Sequence, residues 1–158
     1  MNKNKEMIVD ASALVDIFIK SRERHQYGCQ LASYIKKHKV QVIVPTYAIL
    51  EVKCAVDNER MVSKRGEVSK TFSESEPLNM KMINIDQKFL REYLDLGIPY
   101  IKAGDLIYIL IAKKHDGILI TEDVRQAKVA RSINVETYKI DEFLNKFDDV
   151  VSGKKIYG

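Results

Sequence analysis

The chain has 158 residues, 46% of them apolar, with a formal net charge of +4 and a pI near 8.9. That length and apolar share fit one globular domain and exclude a disordered polyelectrolyte. No apolar run approaches the ~20 residues of a membrane-spanning helix, and the basic start Met1-Asn2-Lys3-Asn4-Lys5 leads into a short strand, not into the apolar core of a secretory signal.

In chain order, residues 6–10 read as a short first strand, apolar on both faces. Helix follows over 12–20 and 27–37, with a break near 22–25; Leu31, Tyr34 and Ile35 fall at helical spacing. Residues 41–44 are a second strand ended by Pro45. Residues 46–56 are a helix with Ala48, Ile49, Val52, Ala55 and Val56 on its apolar side and Thr46 as its cap. The charged stretch 58–76 reads as an outer helix, interrupted at Gly66 and stopped before Pro77. Residues 80–85 are a third strand; Asp86 then caps a helix over 87–96, and Gly97 stops it. After a loop at 98–104, the helix over 105–115 is apolar nearly all round and therefore buried. A fourth strand at 117–121, a helix at 123–132 and a fifth strand at 135–140 follow, and Asp141 caps a last helix that ends near Phe147.

Short apolar strands without strict alternation imply a sheet covered on both faces, hence parallel. The expected fold is α/β: a three-layer α/β/α sandwich with a mainly parallel sheet of four or five strands. Residues 1–148 are read as the single domain and 149–158 as a tail.

Four acids stand out on this framework. Asp10 closes the first strand, Glu51 lies inside the third predicted helix, Asp105 opens the buried helix and Asp123 follows the fourth strand. In an open parallel sheet, ligands bind at the carboxyl ends of the strands. Carboxylates gathered there cannot all stay ionised without a cation between them. The pattern therefore reads as a divalent-metal site. Cys29 and Cys54 lack ligand spacing and read as buried, reduced thiols of a cytoplasmic protein. Without a His or Cys cluster the ligands must be oxygens, which favours Mg²⁺ or Mn²⁺ over zinc.

Each acid also has a plain reading. Asp10 would make a turn, Glu51 would face water, and Asp105 and Asp123 would cap helices. What these readings leave unexplained is the joint occurrence of four acids at one end of a parallel sheet. Ser12 and Thr121 are placed to hold carboxylates by hydrogen bonds, beside their plain roles in capping and strand propensity. Glu122 reads as a solvated acid; Asp16, on the first helix, could face the rim of the pocket and is given no role. Lys102 and Arg125 flank the acids and could touch phosphates, although surface solvation is the preferred reading; Tyr100 could stack on a base but is read as a packed loop side chain. His25, His38 and His115 match no ligand or triad spacing. Basic runs near 20–24, 36–39, 64–65, 113–114 and 125–131 would draw a polyanion, or simply solvate helix faces.

Four segments, in order, resemble the PIN domain family of metal-dependent ribonucleases. They are Met7-Ile8-Val9-Asp10-Ala11-Ser12, Ile49-Leu50-Glu51-Val52, the helix continuing from Gly104-Asp105, and Gly117-Ile118-Leu119-Ile120-Thr121-Glu122-Asp123. The resemblance covers roughly residues 6–145, and its subgroup is the small stand-alone PIN proteins, including toxins of the VapC type. It implies an endoribonuclease that hydrolyses RNA with Mg²⁺ or Mn²⁺ held by Asp10, Glu51, Asp105 and Asp123. It also implies RNA as substrate, an antitoxin protein as partner and a homodimer. The residues themselves do not separate RNA from DNA. The alternative is a catalytically silent PIN-like module that binds RNA or protein. An aspartyl-phosphate enzyme with Asp10 as nucleophile fits less well, because the position two residues on is Ser12 rather than a second Asp.

Overall fold

A computed structural model describes residues 5–62, 78–97 and 100–147. The elements are β1 (Met7–Val9), α1 (Ala11–Phe18), α2 (His25–His38), β2 (Val42–Pro45), α3 (Tyr47–Val62), β3 (Met80–Ile83) and α4 (Gln87–Tyr93). A single 3₁₀ turn over Leu94–Leu96 follows, then α5 (Ala103–Lys114), β4 (Ile118–Ile120), α6 (Val124–Ser132), β5 (Thr137–Tyr138) and α7 (Ile140–Phe147).

The five strands form one sheet in the order β3-β2-β1-β4-β5, and every pairing is parallel. All residues of β1, β2 and β4 are buried, as a sheet covered on both faces requires. On the edge, β3 exposes Lys81 and Met82. The helices fall into two groups: α1 touches α2 and α3, and α2 touches α7, while α5 touches α4 and α6. The α/β/α sandwich with a parallel sheet is therefore as expected, at five strands. α5 lies against β1, β2 and β4, with Tyr108, Ile109, Leu110, Ile111 and Ala112 all buried. Among the described residues no helix is long and apolar enough to cross a membrane.

Local chemistry sets several boundaries. Asp86 caps α4 by accepting from the Phe89 N–H at 2.9 Å. Gly97 ends the following turn at φ 61°, where a side chain would be strained. The gap between α1 and α2 falls at the expected break. Other boundaries moved. α3 runs on through residues expected to start a separate helix, and positions 63–77 of that predicted helix lie outside the described residues, as does the tail. α5 starts at Ala103, so Asp105 sits in its first turn rather than at its head. Asp141 does not cap α7; Glu142 does, reaching back to the Lys139 N–H at 3.1 Å, half of a capping box. The predicted third and fifth strands shorten to Met80–Ile83 and Thr137–Tyr138.

Both cysteines are exposed, which corrects their expected burial. Leu31 and Val52 face the core, and a cysteine two residues from each stands about 200° round its helix, on the wet side.

Candidate metal centre

β1 and β4 are neighbours, but the chain continues from β1 toward β2 and from β4 toward β5. A crevice opens at the carboxyl ends of two such strands. Asp10 is the first residue beyond β1 and Thr121 the first beyond β4. The Asp10 N–H donates to the Ile120 carbonyl at 2.9 Å, joining the two strand ends.

The Asp10 side chain is buried, at 6% exposure. Its Oδ2 accepts from Ser12 Oγ at 2.6 Å and from Thr121 Oγ1 at 2.9 Å. Each hydroxyl is held from behind as well: Ser12 Oγ accepts from the Glu122 N–H and Thr121 Oγ1 from the Asp123 N–H, both at 3.0 Å. Ser12 and Thr121 thus both donate to one oxygen of the first acid.

Glu51, on α3, is half-buried, and its Oε2 accepts from Tyr108 Oη at 2.6 Å. Tyr108 lies three residues past Asp105 on α5 and is fully buried. At Gly104 a Cβ would stand 3.5 Å from Glu51 Oε1 and 3.4 Å from the Tyr47 ring, so the bare glycine keeps space open beside the acid. Asp123 caps α6, its Oδ1 accepting from the Gln126 N–H at 2.8 Å. The buried Gln126 side chain donates to the Asp105 carbonyl at 3.1 Å and so ties α6 to α5.

Sequence reasoning missed Tyr108 and Gln126. The signal was there: Tyr108 is the one polar side chain among the buried residues of α5, and Gln126 sits three residues after the capping Asp123.

The acids sense one another. Burial pushes the Asp10 carboxyl above its ordinary range, against the pull of the Ser12 and Thr121 hydroxyls. Burial also raises Glu51; the Tyr108 hydrogen bond opposes this, and the charges of Asp10 and Asp105 add to it. Asp105 is raised by burial and by the charges of Asp123 and Asp10, and lowered by Lys102 and Arg125. These couplings bring all four predicted acids into one electrostatic cluster, with the exposed Lys102 and Arg125 beside it.

Other candidates lie elsewhere. Asp16 is buried and pairs with Arg22 at 3.2 Å and Arg24 at 3.6 Å, so it does not face the rim. Glu122 is not a solvated acid: it accepts from Arg24 at 2.9 Å and from the Ile140 N–H at 3.0 Å. Tyr100 is 92% exposed, because its neighbour Ile101 takes the buried place. His25 bonds the Asp16 carbonyl, His38 packs on Tyr34, and His115 joins Glu6 and Tyr93.

Among the described residues, no three His, Cys, Asp or Glu side chains are drawn into a ready-made ion cage. The donor chemistry nevertheless fits a hard divalent cation. All four groups are carboxylates, and burial first, then the neighbouring acids, raises the Glu51 and Asp105 carboxyls above their ordinary range. Magnesium keeps several waters and needs only one or two direct carboxylates, so the four acids need not all touch the ion.

The class is an α/β sandwich with acids gathered where its strand order reverses. The chain belongs to the PIN domain family, whose model matches residues 7–132, from β1 to the end of α6. Members of that family are commonly nucleases and typically use divalent metals. No curated protein matches the chain. Among solved structures it is similar to PAE2754 from Pyrobaculum aerophilum, at TM-score 0.58 and 17% identity over 95% of this chain and 91% of that one. It is also similar to FitAB bound to an IR36 DNA fragment, at TM-score 0.50 and 13% identity over 85% and 94%. A third is a domain of a functionally unknown protein from Methanocaldococcus jannaschii, at TM-score 0.45 and 19% identity over 85% and 90%.

Proposed function

We propose that the protein is a cytoplasmic, Mg²⁺- or Mn²⁺-dependent endoribonuclease. Its cation would be held by Asp10, Glu51, Asp105 and Asp123, directly or through water. The observation that carries this reading is Asp10, buried where the strand order reverses and held there by Ser12 and Thr121, with Glu51, Asp105 and Asp123 close enough for their charges to couple. A structural role does not call for such a costly cluster.

When bound, the cation supplies charge neutralisation at the phosphorus and activation of a water. The rest falls to the chain. Ser12 and Thr121 keep Asp10 turned inward. Tyr108 holds one oxygen of Glu51, and the other has no hydrogen-bond partner among the described residues. Lys102 and Arg125 lie where they can steady the substrate phosphates.

As the toxin of a toxin–antitoxin pair, the protein would work as a homodimer and be silenced by an antitoxin laid over the crevice. The fold neighbour FitAB, solved on DNA, is in keeping with this. A second reading, a silent PIN-like module that binds RNA or protein, draws on the lack of a ready-made cage among the described residues.

The test is cleavage of labelled mixed-sequence RNA by wild type and Asp10→Asn, with Mg²⁺, with Mn²⁺ and with EDTA. Metal-dependent cleavage that falls by at least ~10³-fold in the variant is expected, the scale on which a preorganised catalytic group acts. RNA binding without cleavage in either metal selects the silent module. Cleavage that survives Asp10→Asn removes the four acids from the reaction.

A further inference from the structure

Arg24 stands between α1 and α2, outside the crevice, yet it reaches three elements. Its Nη2 donates to Glu122 Oε1 at 2.9 Å and to Asp141 Oδ1 at 3.0 Å. Its Nε lies 3.6 Å from Asp16 Oδ2; both atoms are buried and neither has a hydrogen-bond partner among the described residues, so only charge joins them. The guanidinium lies 5.2 Å from the centre of the Tyr27 ring.

Glu122 is the relay. Its side chain is 15% exposed, and Oε1 takes the Ile140 N–H as well as Arg24. Its own N–H donates to Ser12 Oγ, and Ser12 donates to Asp10 Oδ2. The residues on either side of Glu122 are Thr121 and Asp123, both in the crevice. Arg24 is thus tied to Asp10 by hydrogen bonds on either side of Glu122, the side chain of that residue taking Arg24 and its backbone N–H leading through Ser12 to Asp10.

We propose that Arg24, acting through Glu122, is a positioning residue for the carboxylate crevice. It clamps the turn after β4 so that the Ser12 and Thr121 hydroxyls both face Asp10. This rests on the metal-site reading above. A planar guanidinium can serve Glu122 and Asp141 together with its Nε beside Asp16; an ammonium cannot. Without Arg24, Glu122 keeps one donor in a mostly buried place, and a charge so stranded turns toward water. That movement pulls on the N–H that holds Ser12.

The test is Mn²⁺ titration calorimetry on full-length wild type, Arg24→Gln, Arg24→Lys, Glu122→Gln and Arg22→Gln, with kcat and KM on labelled RNA read separately. Arg22→Gln is the control: it takes an ion pair from the same buried Asp16 but leaves the Arg24 hydrogen bonds to Glu122 and Asp141 in place. Loss of a residue that orients metal ligands typically weakens metal binding by about 10–100-fold. Arg24→Gln and Glu122→Gln are expected in that range, with kcat lowered and KM little changed, and Arg24→Lys in between. Arg22→Gln should bind Mn²⁺ as wild type does.

Wild-type affinity and kcat in folded Arg24→Gln overturn the proposal. So does equal weakening in Arg22→Gln, which would mark general loosening. If Arg24→Gln does not fold, Glu122→Gln decides: weakened binding supports the proposal and wild-type binding overturns it. A wild type that binds no Mn²⁺ overturns the metal reading itself, and the Arg24 role with it.

Discussion

Tyr108 is fully buried, and its hydroxyl ends on a carboxylate. Tyr108→Phe keeps the ring and deletes the donor. Hydrogen bonds to charged groups contribute roughly 1.5–3 kcal/mol, and Glu51 is half in water, so a loss of ~1 kcal/mol in urea unfolding is expected. Mn²⁺ affinity should drop together with it; a variant unchanged in both would leave Tyr108 as mere packing. The raised acids set the pH response. Asp10, Glu51 and Asp105 hold protons in the folded chain to higher pH than in the unfolded one. Their contribution therefore favours folding below the unfolded values and is lost as pH rises through the folded ones. A cation relieves that loss. The rise in Tm on adding Mn²⁺ should be larger at pH 8 than at pH 5, by thermal melts at fixed ionic strength. A pH-independent rise would mean that these acids do not meet the ion.

Between elements, α1 and α2 meet at Gly28, where an added Cβ would lie 2.3 Å from the Asp16 carbonyl oxygen. Backbone cannot yield as a side-chain tip can, so Gly28→Ala should cost at least the ~1–3 kcal/mol usual for overpacking, read as a lower urea midpoint. An unchanged midpoint would show that the two helices slide apart freely. The limits of sequence reading also lie at this scale. Asp86 and Gly97 were legible because capping is local. The ends of β3 and β5 were not, since a ladder stops where its neighbour stops: β5 pairs at two positions with a β4 of three residues. Asp141 looked like a cap, but Arg24 claims it from 117 positions away. Asp123 caps α6, its plain reading, and its charge also reaches Asp105.

Across the whole molecule, distant segments are joined by ion pairs that oppose the trend in the crevice. For Glu136, burial raises the carboxyl, but the Lys5 hydrogen bond and charge outweigh it and the net shift is downward. For Asp141, Arg24 does the same. Carboxyls lowered on folding stabilise the chain above their unfolded values, and that support is lost as pH falls through the folded ones. Acid unfolding should therefore begin below the ordinary carboxylate range of about 4, and Lys5→Gln should move its onset upward, followed by circular dichroism. No movement would mean that the Lys5–Glu136 pair adds nothing. The site was legible at this scale for a topological reason. Asp10 and Asp123 follow apolar strands that any parallel sheet lines up, whereas Arg24 and Tyr108 act through contacts that spacing does not reveal.

Thr121 meets Asp10 across 111 positions of chain. During synthesis, β1, β2 and α3 leave the ribosome long before β4 does. A nascent chain thus carries Asp10 and Glu51 while the strand that closes the crevice does not yet exist. For the ribonuclease proposed here, chemistry waits on the pairing of β4 with β1, and the ribosome and message that build the enzyme are out of its reach until β4 has emerged.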